Sequence, residues 1–214
     1  IRQVQPEGPY RIGGWSLGGV VAFEMAQQLV RAGQEVELLA IFDTVPRLAE
    51  TQPAAVEPGF WDDDARWLRD IAVYAEGLWG KSLDLTYEDL AALGPGERLA
   101  LCAGRLQELQ LLPAGAGPAW LARVLRVFKA NVRAGLGYEP VPYPGRITLF
   151  RAADAPEGDL DLGWGAWSPL PVEVHLCPGN HVTLLAEANV AALAARLREE
   201  LGQVASALRA GGDR

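Results

Sequence analysis

The chain has 214 residues, half of them hydrophobic, which is enough to bury one domain core. Its 27 acidic and 19 basic residues leave a net charge of -8, which repels phosphate backbones and excludes nucleic acid as the main partner. Cys102 and Cys177 are too few for a disulfide framework and stand in no metal-ligand spacing; two reduced thiols in a cytoplasmic protein without a metal site are expected.

Apolar runs such as Val36 to Phe42 fall far short of the roughly 20 residues that cross a bilayer, and the chain opens on no basic-then-apolar leader. Neither a membrane span nor a targeting segment is predicted. The chain begins at Ile1 and its only methionine is Met25, so it reads as a piece of a longer polypeptide.

In chain order, Tyr10-Arg11-Ile12 reads as a short strand that breaks at Gly13-Gly14. From Leu17, the residues Val20, Val21, Phe23, Met25, Ala26, Leu29 and Val30 form an apolar stripe at helical spacing, with Gly33 as the C-terminal glycine. Glu35 to Phe42 is a mostly apolar strand ending at Asp43, as expected for a parallel strand covered on both faces. Strand, sharp turn, helix and strand make a βαβ unit over residues 1–45.

Residues 46–144 contain no convincing strand and read as a helical, lid-like insertion. Trp67, Ile71, Tyr74 and Leu78 recur at helical spacing, Thr86 to Asp89 has the pattern of a capping box, and Leu99–Leu111 and Pro118–Leu136 read as further helices. On the last of these Leu121, Val124, Leu125, Phe128 and Val132 share one face, and Arg123, Arg126, Lys129 and Arg133 fall on a separate flank. Residues 145–210 supply the last two strands, Arg146–Arg151 and Pro171–Leu176. A long amphipathic helix with Val190, Leu193, Leu197, Leu201, Val204 and Leu208 on one face closes the chain, before a frayed tail from Gly211.

Gly14-Trp15-Ser16-Leu17-Gly18 fits G-x-S-x-G, in which a serine sits on a strained strand-to-helix turn and flanking glycines, here Gly14 and Gly18, admit close backbone approach. Strand before, helix after and a second strand beyond are the context that marks the nucleophile elbow of an α/β-hydrolase. The backbone N–H of Leu17 then points at the developing oxyanion, at the positive end of the following helix.

A serine hydroxyl needs an imidazole to take its proton, and the imidazole needs an acid to fix its tautomer. His175 lies within a strand pattern and reads as a packed or edge residue. His181, in the loop past that strand's C-terminal end, is where open α/β sheets assemble their sites. Asp43 and Asp154 each follow a strand end; Asp43 closes an almost wholly apolar run, where an unpaired carboxylate is costly.

The stretches Gly14-Trp15-Ser16-Leu17-Gly18-Gly19, Ala22 to Ala26, Phe42-Asp43, Gly145 to Ala152 and Gly179-Asn180-His181 resemble the thioesterase domains of nonribosomal peptide synthetases and polyketide synthases. The resemblance runs from Tyr10 to about Leu201. It implies a single α/β-hydrolase domain over 1–214, a mostly parallel sheet flanked by helices. It places the acid after the strand that follows the elbow, favouring Asp43 over Asp154. It also implies a Ser16 acyl-enzyme taken from the phosphopantetheine thioester of a carrier protein and released by water or an internal nucleophile. No cofactor is implied beyond the arm that the carrier brings.

Trp15 points to the product-releasing members, since stand-alone editing thioesterases usually carry histidine there. Carriers of this kind are usually acidic, so the basic flank of the last lid helix is a candidate docking face. Rival readings are an editing thioesterase or other serine esterase, and a non-catalytic binding module of the same fold.

The chain departs from the family at its start. Members place several strands, and a loop with the second oxyanion N–H, before the elbow strand, whereas nine residues precede Tyr10 here. The expectation is an N-terminally incomplete domain whose elbow strand offers an open edge for self-association or a partner.

Overall fold

The computed structural model describes residues 1–47, 59–154 and 158–211, with side chains of the last helix up to residue 203. Of the tail expected from Gly211, that glycine ends the last helix and the rest lies outside the described residues, as do the side chains of Val204 and Leu208. The chain divides into two compact units, residues 1–47 with 138–214, and residues 48–137.

The first unit is built on four strands: β1 (Tyr10–Trp15), β2 (Val36–Phe42), β3 (Thr148–Ala152) and β4 (Glu173–Cys177). Among the described residues they form one sheet in the order β1-β2-β3-β4, every pair parallel. Among the described residues two α-helices belong to this unit, α1 (Leu17–Arg31) and α6 (Glu187–Gly211). Alternation along the strands decides which helix each residue meets. Leu39 and Ile41 of β2 join Leu149, Ile147, Tyr143 and Trp164 against Ala22, Phe23 and Ala26 of α1. Leu38 and Ala40, one step out of phase, join Phe150, Cys177 and Leu184 against Leu193 of α6, with Leu197 and Leu201 packed beside them. A sheet buried on both faces explains the nearly unbroken apolar run of β2.

The strand before the elbow is longer than its composition predicts. Gly13 and Gly14 do not break it; they pair with Ala40 and Ile41, and Trp15 with Phe42. Glycine weakens a strand through entropy and its missing side chain, but six residues of ladder against β2 override that preference. The chain leaves extended structure only at Ser16. The last two strands each begin two residues later than their patterns suggested.

The second unit is helical: α2 (Asp64–Trp79), α3 (Tyr87–Ala91), α4 (Pro95–Glu108) and α5 (Pro118–Leu136). Asp63 caps α2 by accepting from the Arg66 N–H, and Gly80 ends it in the left-handed conformation. The capping box expected at Thr86 and Asp89 is present at the start of α3.

Helix α4 starts four residues earlier than its apolar pattern. Pro95 occupies a first-turn position that needs no intrahelical N–H, and the Glu97 carboxylate accepts from the Gly94 N–H. The core joins Trp67, Leu68, Ala72, Leu90, Ala103, Leu121 and Leu125. The buried line of α2 therefore runs through alanines as much as through the expected Ile71, Tyr74 and Leu78, which are only half-buried. No helix among the described residues is long and apolar enough to cross a membrane.

Candidate active site

Ser16 stands between the last residue of β1 and the first of α1, with φ 55° and ψ -135°. A non-glycine residue held there costs about 1–3 kcal/mol, and such conformations persist where the surroundings over-determine them. Here they do. The Ser16 N–H donates to the Phe42 carbonyl at 3.3 Å, and the Ser16 carbonyl accepts from the Gly19 N–H at 2.8 Å and from Thr44 Oγ1 at 2.7 Å.

The glycines around the turn divide unequally. A Cβ on Gly14 would overlap the Gly18 carbonyl, and one on Gly19 would lie 2.9 Å from Thr44 Oγ1. A Cβ on Gly18 would meet nothing within 4 Å. The expectation that Gly14 and Gly18 both admit close approach is thus corrected: of Gly14, Gly18 and Gly19, it is Gly14 and Gly19 that need to be glycine, because Thr44 and the Gly18 backbone fill the space. Leu17 opens α1, so its N–H is among the first-turn donors that a helix leaves without an intrahelical acceptor.

Asp43 follows β2 directly, also in the left-handed region at φ 49°, and is 8% exposed. Its N–H donates to the Phe150 carbonyl at 2.9 Å, and its Oδ1 accepts from the Ala152 N–H at 2.8 Å. The carboxylate is therefore fixed by the end of β3. The imidazole of His181 reaches it from the loop after β4: Nδ1 lies 3.0 Å from Asp43 Oδ2 and 2.8 Å from the Asp43 carbonyl. Both of those oxygens can only accept, so Nδ1 carries the proton and neutral imidazole presents a bare Nε2. That nitrogen faces Ser16 Oγ at 3.1 Å. An imidazole so held can draw the proton from Oγ and return it to a leaving group.

The loop that carries His181 is wired by its own side chains. Asn180 Oδ1 accepts from the N–H groups of Val182 and Thr183, and Thr183 Oγ1 accepts from the Asn180 N–H. Gly179 is left-handed at φ 93°, and a Cβ there would lie 2.5 Å from Asn189 Nδ2. These contacts give the Gly179-Asn180-His181 stretch its physical reason.

The other candidates lie elsewhere. Asp154 is exposed and its N–H donates to the Gly179 carbonyl at 3.0 Å. His175 sits within β4, stacked on Phe150, with Nε2 3.0 Å from Glu200 Oε1. Glu173, His175 and Glu200 could hold a metal ion, their ligand atoms lying within 4.8 Å of one another, but they tie β4 to α6 and include no residue of the Ser16 cluster. Burial raises both thiols, Cys102 to about 11.

Two supports escaped the sequence. Thr44 holds the elbow carbonyl, and Trp164 Nε1 donates to the Thr44 carbonyl. The signal for Thr44 was its place beside Asp43 opposite a second glycine, Gly19; nothing in the sequence pointed to Trp164.

A parallel sheet with a strained serine turn at the C-terminal end of one strand, and aspartate and histidine beyond the ends of others, defines the α/β-hydrolase class. The thioesterase domain family model matches residues 1–201, and the chain belongs to that family, a family of hydrolases. It is 29% identical over 210 residues to the chondramide synthase of Chondromyces crocatus, covering 96% of this chain and 5% of the synthase. It is 38% identical over 191 residues to a conidial pigment polyketide synthase of Pestalotiopsis fici, covering 86% and 8%. The crystal structure of AB3403, a four-domain nonribosomal peptide synthetase bound to AMP and glycine, superposes with a TM-score of 0.77 at 27% identity, covering 92% of this chain and 15% of that one. The chain thus spans a small part of the length of these relatives.

Proposed function

We propose that this chain releases a peptidyl or polyketidyl product from the phosphopantetheine thioester of a carrier protein through an acyl-enzyme on Ser16. The observation that carries the reading is the position of His181, with Nε2 at Ser16 Oγ and Nδ1 at Asp43.

Ser16 Oγ attacks the thioester carbonyl carbon as His181 Nε2 takes its proton. The negative charge on the carbonyl oxygen is met by the Leu17 N–H at the start of α1. Collapse breaks the C–S bond, and the imidazolium returns its proton to the departing thiolate. Water or a nucleophile on the chain itself then attacks the ester, again losing its proton to His181, and Ser16 Oγ is restored. Asp43 keeps the proton on Nδ1 throughout and stabilises the imidazolium. Both steps balance with protons alone, so no cofactor enters beyond the carrier's arm.

The test is release from carrier-bound acyl chains of increasing length by the full-length protein and by Ser16→Ala. Turnover that favours long peptidyl or polyketidyl chains, and is lost in Ser16→Ala, supports product release. A preference for short acyl carriers identifies an editing enzyme, and turnover that survives Ser16→Ala overturns the acyl-enzyme.

A further inference from the structure

The residue before the nucleophile touches the base. Trp15 Nε1 donates to the backbone carbonyl of His181 at 2.8 Å, and the Trp15 and His181 rings stack with centroids 5.4 Å apart and planes 26° from parallel. We propose that Trp15 is a positioning residue for His181, fixing the imidazole against Ser16 through both contacts; the inference rests on the reading of His181 as base.

The geometry explains why a contact from this residue matters. Trp15 ends β1, its backbone held in register with Phe42. His181 lies on a loop that is tied to the end of β3 at Gly179, whose carbonyl accepts from the Asp154 N–H; beyond that point the bonds from Asn180 and Thr183 hold the loop to itself. The Nδ1 bonds to Asp43 secure one edge of the imidazole, the indole face limits the ring plane, and the indole N–H anchors the histidine backbone. Trp15 and Ser16 are consecutive, so a shift of the elbow carries the base along with the nucleophile and preserves the 3.1 Å separation. When His181 takes the proton, the resulting cation lies against an aromatic face, a favourable placement.

The two contacts can be separated by substitution. Trp15→Phe keeps a ring and removes the donor; Trp15→Leu removes both. Trp15 is only half-buried, so neither substitution empties the core. Losing one hydrogen bond to a backbone carbonyl should lower kcat about three- to tenfold in Trp15→Phe. Releasing the ring as well should lower it by about ten- to a hundredfold in Trp15→Leu.

The experiment measures kcat and KM for a small-molecule thioester, with the rate of inactivation by a small fluorophosphonate, in the full-length wild type, both Trp15 variants and His181→Ala. The expected result is a graded fall in kcat and inactivation rate with KM within about twofold of wild type, and partial rescue by phenylalanine relative to leucine. If His181→Ala is severely impaired while both Trp15 variants match wild type, or change KM alone, the positioning role is overturned and the base stands. If His181→Ala retains full activity, the base falls and the inference with it. Should Trp15→Leu not fold, Trp15→Phe decides alone: a wild-type kcat overturns the anchor to the backbone carbonyl, and a three- to tenfold fall with unchanged KM supports it.

Discussion

His181 Nδ1 faces two oxygens of Asp43 at once, the carboxylate Oδ2 at 3.0 Å and the backbone carbonyl at 2.8 Å. The left-handed backbone of Asp43 presents its carbonyl and its side chain to the same nitrogen, while Oδ1 is held by the Ala152 N–H. Position and tautomer of the imidazole thus converge on one residue at the end of β2.

Asp43→Asn should keep the shape of the site but let the amide donate to Nδ1, which moves the ring proton to Nε2 and removes the acceptor for Ser16. The expected fall in kcat is about 10³- to 10⁴-fold, by analogy with the same change in other serine triads. Asp154→Asn, at an exposed position, should change kcat less than about twofold. Steady-state kinetics on the two variants checks both.

Gly14→Ala should destabilise the fold severely or prevent it, because the new methyl overlaps the Gly18 carbonyl. Gly19→Ala must push Thr44 aside and should cost about 1–3 kcal/mol. Gly18→Ala, in the first turn of α1 with open space around it, should leave the melting temperature unchanged or raise it, by up to about 1 kcal/mol of stability. Thermal unfolding of the three variants gives the order.

Much of this was legible in the chain, for identifiable reasons. The elbow and β2 announce themselves because a strained turn needs glycine and a doubly covered strand needs an unbroken apolar run. His181 is preferred to His175 because sites of open α/β sheets form beyond strand ends. Asp43 and Asp154 both follow strand ends, and Asp43 is preferred for closing an almost wholly apolar run and for the family resemblance. What stayed hidden depends on neighbours distant in sequence. The ladder with Ala40 and Ile41 keeps Gly13 and Gly14 extended, Thr44 decides which glycine is indispensable, and the Trp15 indole meets a histidine 166 positions away. No local pattern encodes those meetings.

The basic flank of α5 is also narrower than its sequence suggested. Lys129 bonds the Asp64 carboxylate and the Trp61 carbonyl, and the Arg133 guanidinium lies 4.5 Å over the Trp61 ring, so both serve the helical unit itself. Arg123 and Arg126 of the same flank are exposed. Arg123→Glu with Arg126→Glu should slow acyl transfer from a carrier-bound substrate about tenfold at low salt, with a smaller effect at high salt. Turnover of a small-molecule thioester should be unchanged; equal slowing of both substrates removes the docking face.

Stability should fall in alkaline solution. Burial pushes the Cys102 thiol up to about 11 and the Tyr143 phenol up to about 12, and Tyr138 and Cys177 are raised as well. A raised value means that the folded state keeps a proton which the unfolded chain releases. Stability from these groups is full below their unfolded values, about 8.5 for cysteine and 10 for tyrosine, and is lost as pH rises through the folded ones. The melting temperature should decline from about pH 9 upward. Tyr143→Phe, which removes a titrating group at nearly constant volume, should make the decline shallower above about pH 10.

The most direct measurement is the mass and site of the adduct formed when the full-length protein meets a fluorophosphonate. One adduct per chain on the peptide bearing Ser16 is predicted, with formation slowed by at least about 10³-fold in His181→Ala. A folded protein that takes no label at Ser16, or labels there as fast without His181, would contradict the account.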